Sequence, residues 1–166
     1  KNPETLIKAF ALIHKHMDCY LVMIGDGPLH EALRGLANKL GVGHRVVFAG
    51  KVPPDLMPHM YAGSDVFLFA SLTDTQGLVI VEAKSAGVPC VAVGALGVKD
   101  MVEHDVDGYL CENAPEDLAQ KTLALLQDPE RLSTMKSNAL ANASRFSLEA
   151  TCNKLVECYM EVAEGL

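Results

Sequence analysis

The sequence lacks the features of several classes of protein. None of its uncharged apolar runs is long enough to span a bilayer, and its N-terminus shows no secretory signal. Only 14 residues are Lys or Arg against 21 Asp or Glu, which gives a net charge of −7. This shortage of positive charge argues against nucleic acid as a partner and against a strongly basic surface for docking on a membrane.

Motifs that bind metals or form redox pairs are also absent. The five cysteines form no CxxC pair. Cys19, Cys90 and Cys111 lie in apolar runs of the kind that form strands, so we expect buried free thiols in a reducing compartment. His14 and His16 are two residues apart and point to different sides of a helix, an arrangement that suits no metal. We therefore expect no metal site.

What the sequence does contain is an alternation of strand and helix patterns. It has 166 residues, 49% of them hydrophobic, and no repeat, low-complexity tract or linker, so we expect one domain over residues 1–166. The predicted strands are 19–24, 45–49, 66–70, 90–93 and 109–111. The predicted helices are 3–16, 28–40, 55–61, 75–86, 98–103, 115–126, 129–143 and 148–162.

This alternation predicts the α/β class, with a Rossmann-like parallel sheet, helices on both of its faces and a helical C-terminal tail. A first helix with no strand before it is unusual for such a fold, which suggests that a first strand is missing or that more sequence lay upstream. Ligands of such sheets bind beyond the carboxyl ends of the strands. We expect the loops at Gly25, Gly50, 73–77 and 94–97, the last of which contains Gly97, to cluster there.

The turn after the first predicted strand matches a dinucleotide-binding motif only in part. Gly25 and Gly27 fit the first two glycines, but the third position is occupied by His30. A plain strand-to-helix turn is therefore favoured over a dinucleotide site, and an oxidoreductase that uses such a cofactor is disfavoured.

Two carboxylates mark the stretch 73–87 as the centre of the predicted site. Asp74 and Glu82 are separated by seven residues that contain the apolar run 78–81. The flanking strands and the helical spacing of the residues between them predict a helix at 75–86. Asp74 would lie at its N-cap, and Glu82 would lie roughly 12 Å further along the helix axis.

The start of this predicted helix suits an anion. Unpaired N–H groups of Thr75, Gln76 and Gly77 would face the cleft and favour a phosphate, and a glycine lets a ligand approach the backbone closely. A phosphate between two carboxylates is typical of a nucleotide sugar. The alternative is that Asp74 only caps the helix and Glu82 is only a solvated helix residue.

The residues from Ala70 to Pro89 resemble the signature of retaining glycosyltransferases of family 4, which have the GT-B fold. The shared pattern is a serine near a strand end, an acidic residue, seven residues, Glu-Ala and then Gly-x-Pro. Further matches, in the family's order, are Lys1-Asn2, Gly25-Asp26-Gly27-Pro28, Val47–Val52, Val98 to Asp107-Gly108 and Phe146-Ser147. The resemblance implies that residues 1–166 are the C-terminal, nucleotide-sugar-binding half of such an enzyme, and that the N-terminal acceptor domain is absent.

The resemblance also implies roles for individual residues. Glu82 matches the glutamate that binds the ribose hydroxyls of the donor. Asp74 stands where the family has a glutamate near the donor sugar, and it is one methylene shorter. Lys1 matches a lysine that holds the diphosphate, so Asp74 and Lys1 are the predicted catalytic residues. The base would stack near Lys51 and Val52.

The backbone of the turn before the helix is implied to hold sugar hydroxyls and phosphate oxygens. The full set of predicted donor-binding residues is Glu82, Thr75, Gln76, Gly77, Leu78, Gly25, Lys51, Val52 and Gly97. Gln76 replaces a common phenylalanine, and its amide could influence the choice of donor through a hydrogen bond.

The implied reaction is the transfer of a hexose from a UDP- or GDP-sugar to a glycolipid or cell-envelope glycan, with retention at the anomeric carbon. The nucleotide sugar is a substrate, and no cofactor is expected. The run Thr-Asp-Thr-Gln-Gly-Leu is also similar to that of bacterial enzymes that glucosylate diacylglycerol. The expected location is the cytoplasm, or the inner face of a membrane through the absent domain, and the domain by itself is expected to be inactive.

Two alternatives stay open at this point. A nucleotide-sugar epimerase shares the two-domain fold and binds similar donors. A non-catalytic module that binds a sugar nucleotide or a protein would need only the donor-binding residues, and an upstream domain of typical size would favour the enzyme over it.

Overall fold

Five parallel strands and eight α-helices alternate in the computed structural model, which describes residues 1–164. The strands are β1 (Leu21–Ile24), β2 (Val46–Gly50), β3 (Phe67–Phe69), β4 (Cys90–Val93) and β5 (Gly108–Cys111). The helices are α1 (Pro3–His14), α2 (His30–Lys39), α3 (Met57–Ala62), α4 (Leu78–Ser85), α5 (Val98–Met101), α6 (Pro115–Leu126), α7 (Pro129–Ala143) and α8 (Leu148–Glu164). The predicted α/β class and the helical C-terminal tail are confirmed.

The centre of the fold is β4, whose four residues are all buried. Val91 and Val93 pack into a core cluster with residues of α1, α6 and α7. Cys90 and Ala92 point to the opposite face and pack with residues of α3, α4 and α5. Successive side chains of a strand point to opposite faces of a sheet, so this strand is covered by helices on both sides, as in parallel sheets generally.

The strands form two sheets, whereas the sequence predicted one. β1 pairs with β2, and β4 lies between β3 and β5. Within residues 1–164, β1 and β3 each have a paired neighbour on one side only. Helix α1 joins the two sheets instead, because Ile13 packs against the β4 cluster while Ile7 and Phe10 pack with β1 and β2.

The helix predicted at 55–61 is irregular in the structure. A short 3₁₀ turn, Pro54–Leu56, comes first, and α3 begins only at Met57. Pro58 therefore lies in the first turn of α3, where a backbone N–H has no partner within the helix and its loss costs little. This short helix carries Tyr61 into the core.

Helix α8 stands apart from the rest of the fold. It contacts the 3₁₀ turn Ser144–Phe146, and side chains such as Leu148 and Tyr159 are exposed. Within residues 1–164, no helix combines the length and the apolar character that a membrane span requires.

Candidate functional site

The loops that carry the predicted site lie at the carboxyl ends of the strands. Gly25 follows β1, Lys51 follows β2, the segment 72–77 follows β3, and 94–97 follows β4. Gly25 has a φ of 117°, a backbone conformation that is strained for any residue with a side chain. Its N–H donates to the carbonyl of Gly50 at 2.8 Å. This is the edge of a parallel α/β fold at which ligands bind.

An ion pair joins the first residue of the chain to the loop after β3. The Lys1 ammonium donates to Oδ2 of Asp74 at 2.5 Å and lies 5.8 Å from the centre of the Phe69 ring. The Lys1 side chain is 71% exposed, whereas that of Asp74 is 16% exposed. The hydrogen bond from Lys1, followed by that from the Gly77 amide, holds the pKa of Asp74 below its ordinary value. Asp74 is therefore a carboxylate near neutral pH.

The other oxygen of Asp74 shapes the turn before α4. Oδ1 accepts from the amide of Gly77 at 2.7 Å and from that of Gln76 at 3.4 Å. The prediction of unpaired N–H groups is therefore wrong for Gln76 and Gly77. Because the side chain satisfies them, residues 75–77 form a turn, and the helix begins at Leu78 rather than Thr75. Gly77 precedes it in the left-handed region, with a φ of 61°.

Helix α5 supports this turn from both of its ends. A methyl group at Gly97, just before α5, would lie 1.9 Å from the carbonyl oxygen of Thr75. At the other end of α5, the side chain of Met101 packs beside Gly77, where an added methyl group would lie 3.2 Å from Met101 Cγ. The positions of Thr75 and Gly77 therefore depend on where α5 lies.

Glu82 is exposed one helical turn beyond the start of α4 and has a defined partner. The Tyr61 hydroxyl donates to Glu82 Oε2 at 2.9 Å, and the Tyr61 ring packs edge-on against Phe67. Burial, followed by the hydrogen bond to Glu82, raises the pKa of Tyr61. The hydroxyl therefore keeps its proton near neutral pH and holds the Glu82 carboxylate in place.

A groove of about 640 Å³ lies next to this carboxylate. Its lining residues are Pro54, Met57, Pro58, His59, Tyr61, Ala62, Glu82, Ser85 and Ala86. The groove is thus formed by α3, by the 3₁₀ turn before it and by one side of α4. Lys51 and Val52 lead directly into that 3₁₀ turn.

The structure brings some of the predicted site residues into contact and leaves others at the same edge of the fold. Direct contacts join Lys1 to Asp74, Asp74 to Gln76 and Gly77, and Gly97 to Thr75. The exposed site residues are Lys1, Thr75, Gln76, Leu78, Glu82, Gly25 and Lys51, and Val52 is half-buried. Within residues 1–164, no group of three or more His, Cys, Asp or Glu side chains is arranged to hold a metal ion.

Sequence reasoning missed Tyr61 and Lys84. The helical spacing that predicts α4 does not identify its buried face, which consists of Ile80, Ala83 and Lys84. An i, i+4 relation between Ile80 and Lys84 was the available signal for a buried lysine. For Tyr61 no local signal existed, because its partner Glu82 lies 21 residues away.

Comparisons with known proteins find similar sequences and structures. A family model described as "Glycosyl transferases group 1" matches residues 1–141. The N-acetyl-alpha-D-glucosaminyl L-malate synthase of Bacillus anthracis is 31% identical over 98% of this chain and 42% of its own length. The GDP-mannose-dependent alpha-(1-6)-phosphatidylinositol monomannoside mannosyltransferase of Mycobacterium tuberculosis is 36% identical over 81% of this chain and 37% of its own length.

A solved structure shares the fold over almost the whole chain. The Anabaena protein HepE, solved in complex with UDP, is 30% identical and superposes with a TM-score of 0.79 over 94% of this chain and 44% of its own. The chain therefore spans about two fifths of the length of the curated relatives it matches.

Proposed function

This chain belongs to the glycosyl transferases group 1 family, and on that premise we propose that it is the donor-binding half of a retaining glycosyltransferase. The proposed reaction transfers a hexose from a UDP- or GDP-sugar to an acceptor glycan or lipid that another part of the protein binds. HepE was solved with UDP, and the mycobacterial relative is named for its use of GDP-mannose, so both bases are candidates. The comparisons do not favour a nucleotide-sugar epimerase.

One observation carries the proposal: Glu82 is an oriented carboxylate on the wall of a groove formed by α3, the 3₁₀ turn before it and α4. A carboxylate can accept about four hydrogen bonds, so Glu82 can accept from ribose hydroxyls while Tyr61 donates to it. Lys51 and Val52 come directly before the 3₁₀ turn that lines the groove. We propose that the nucleotide base binds next to these two residues.

We assign Lys1 to the diphosphate. Its ammonium is mostly exposed and pairs with a single carboxylate, so a diphosphate can attract it at little cost. The start of α4 at Leu78 adds the positive end of a helix dipole. As the bond to the sugar breaks, charge grows on the leaving diphosphate, and the Lys1 ammonium and the positive end of the α4 dipole stabilise it.

We assign Asp74 to the stabilisation of positive charge on the donor sugar. Its oxygens are engaged by Lys1 and by the amides of the turn, which lower its pKa and its nucleophilicity. It is also one methylene shorter than a glutamate. Both features favour an electrostatic role over the formation of a covalent bond.

Calorimetric titration with UDP, GDP, ADP and their glucose or mannose conjugates tests the proposal. We expect one base to bind, and Glu82→Ala to weaken that binding roughly 10- to 150-fold, because a hydrogen bond to a charged group contributes about 1.5–3 kcal/mol. Glu157→Ala, which changes an exposed glutamate on α8, is the control and should bind like the unchanged chain. An unchanged affinity in Glu82→Ala would remove this residue from the site.

If this chain binds none of the nucleotides, the same titration of the full-length protein separates the two remaining explanations. Binding only in the full-length protein means that the site needs the other domain. No binding in either, with the protein folded, contradicts the donor-binding assignment.

A further inference from the structure

A buried ion pair lies behind the proposed site. The Lys84 ammonium and Oδ2 of Asp107 are 2.5 Å apart, and the two side chains are only 2% and 1% exposed. Lys84 is on the buried face of α4, two residues after Glu82. The free-energy cost of burying two charges can exceed their attraction, so a buried pair is weak evidence for a role in stability.

The hydrogen bonds of the pair extend to several elements. Lys84 Nζ also donates to the carbonyl of Met101 at 2.9 Å, and it lies 5.6 Å from the centre of the Phe146 ring. Asp107 accepts from the backbone N–H of Glu103 at 2.9 Å and from the side-chain amide of Asn142, also at 2.9 Å. The pair therefore ties α4 to the end of α5, to the loop before β5 and to α7.

The bond to Met101 is the link that reaches the proposed site. Met101 is the last residue of α5, and its side chain packs beside Gly77. The residue before α5, Gly97, lies against the Thr75 carbonyl. A displacement of α5 would therefore move the turn that carries the backbone groups of the proposed donor site.

We propose that Lys84 is a positioning residue: through the Met101 carbonyl it fixes α5 against α4, and α5 in turn holds residues 75–77 in place. The term "donor site" in this inference rests on the proposed function, whereas the positioning itself does not. Lys84 touches no substrate in this role. The long side chain of Lys84 reaches the Met101 carbonyl, and Asp107 neutralises the charge of its ammonium group.

The test separates positioning from simple charge balance with three variants. Lys84→Met leaves Asp107 as an unpaired buried carboxylate, Asp107→Asn keeps the Lys84–Met101 bond, and the double variant removes both charges and that bond. The measurements are the thermal unfolding of each variant and the hydrogen exchange of individual backbone amides by NMR. The amides of Gly77 and Ile80 report on the turn, because they donate to Asp74 and to the Gly77 carbonyl.

We expect the double variant to recover stability relative to Lys84→Met. Its Gly77 amide should still exchange at least about tenfold faster than in the unchanged chain, while amides in the core of α6 exchange as before. In Asp107→Asn, the exchange of the Gly77 amide should become faster only by the amount that the lower free energy of global unfolding explains. Wild-type protection of Gly77 in a stable double variant would overturn the proposal.

The same chain offers a control with the same bonding pattern in a more exposed pair, whose side chains are 30% and 25% exposed. Lys121 also pairs with an aspartate, Asp117, and donates to a backbone carbonyl, that of Leu110, each at 2.9 Å. Lys121→Met should leave the exchange of Gly77 unchanged, and an equal increase there would contradict a specific role for Lys84.

If the double variant does not fold, Lys84→Met and Asp107→Asn are compared at a temperature at which both are folded. Equal Gly77 exchange relative to α6 would then overturn the proposal.

These measurements need no nucleotide, so their outcome is independent of the Glu82→Ala titration. Failure of the proposed function would appear as unchanged nucleotide affinity in Glu82→Ala. Failure of the positioning proposal would appear as unchanged protection of the turn.

Discussion

The two ends of α4 hold the same kind of ion pair in opposite surroundings. Lys1 and Asp74 meet before its first residue, and Lys84 and Asp107 meet near its last, each at 2.5 Å. The first lysine side chain is 71% exposed and the second only 2%. Water and salt compete with the first pair but not with the second. The exposed pair can therefore exchange partners with a ligand, while the buried pair can serve only as a fixed support.

The largest expected effect comes from breaking the buried pair. Asp107→Asn leaves the Lys84 ammonium buried without a counter-charge, so we expect the free energy of unfolding to fall by about 3–5 kcal/mol. Urea denaturation measures it. Asp65→Asn is the control, because Asp65 pairs with Lys136 at 3.0 Å but is 71% exposed. Equal losses in the two variants would refute the contrast between buried and exposed pairs.

A smaller effect is expected where α5 meets the turn before α4. Gly97→Ala would place a methyl group 1.9 Å from the Thr75 carbonyl oxygen, so the turn or α5 must shift. We expect a loss of about 1–3 kcal/mol, typical of overpacking, together with altered amide shifts for residues 75–77. Gly27→Ala, where nothing lies within 4 Å of the added methyl group, should leave both unchanged. Unaltered shifts in Gly97→Ala would mean that this contact does not position the turn.

The smallest effect is expected for the exposed pair, and it depends on pH. A double-mutant cycle of Lys1→Met and Asp74→Asn should give a coupling below about 1 kcal/mol at pH 7. Because the folded-state pKa of Asp74 is lowered, its contribution is present above the ordinary carboxyl pKa of about 3.9 and disappears as the pH falls through the folded value. Unfolding at pH 7 and at acidic pH measures this loss. A coupling that is large, or equal at both pH values, contradicts the prediction.

Elements with strong local signals could be predicted from the sequence. β4, α6 and α7 begin and end at the predicted residues. A run of four fully buried apolar residues defines β4, and a proline at the first helical position defines the start of each of the two helices. The loop positions of the candidate site followed from the alternation of strands and helices.

Features that depend on distant side chains could not be predicted. The start of α4 depends on which amides the Asp74 carboxylate engages, and the spacing of residues predicts the helix three residues too early. The burial of Lys84 depends on Asp107, which lies 23 positions further along the chain. The division into two sheets depends on which strands form backbone hydrogen bonds with each other, and β1 does not pair with β3.

That division has a consequence for how the chain behaves in concentrated solution. One continuous sheet of five strands would have two edges, but within residues 1–164 the strands β1, β2, β3 and β5 are all edge strands. Leu68 of β3 packs against the cluster that contains Leu21 of β1, so these two strands lie close together, and an edge strand that no other element covers presents unpaired N–H and C=O groups to an approaching chain. Val22, Ile24 and Val47 add exposed apolar surface on the two-stranded sheet. Prepared by itself, the chain is therefore expected to self-associate through its strands as its concentration rises.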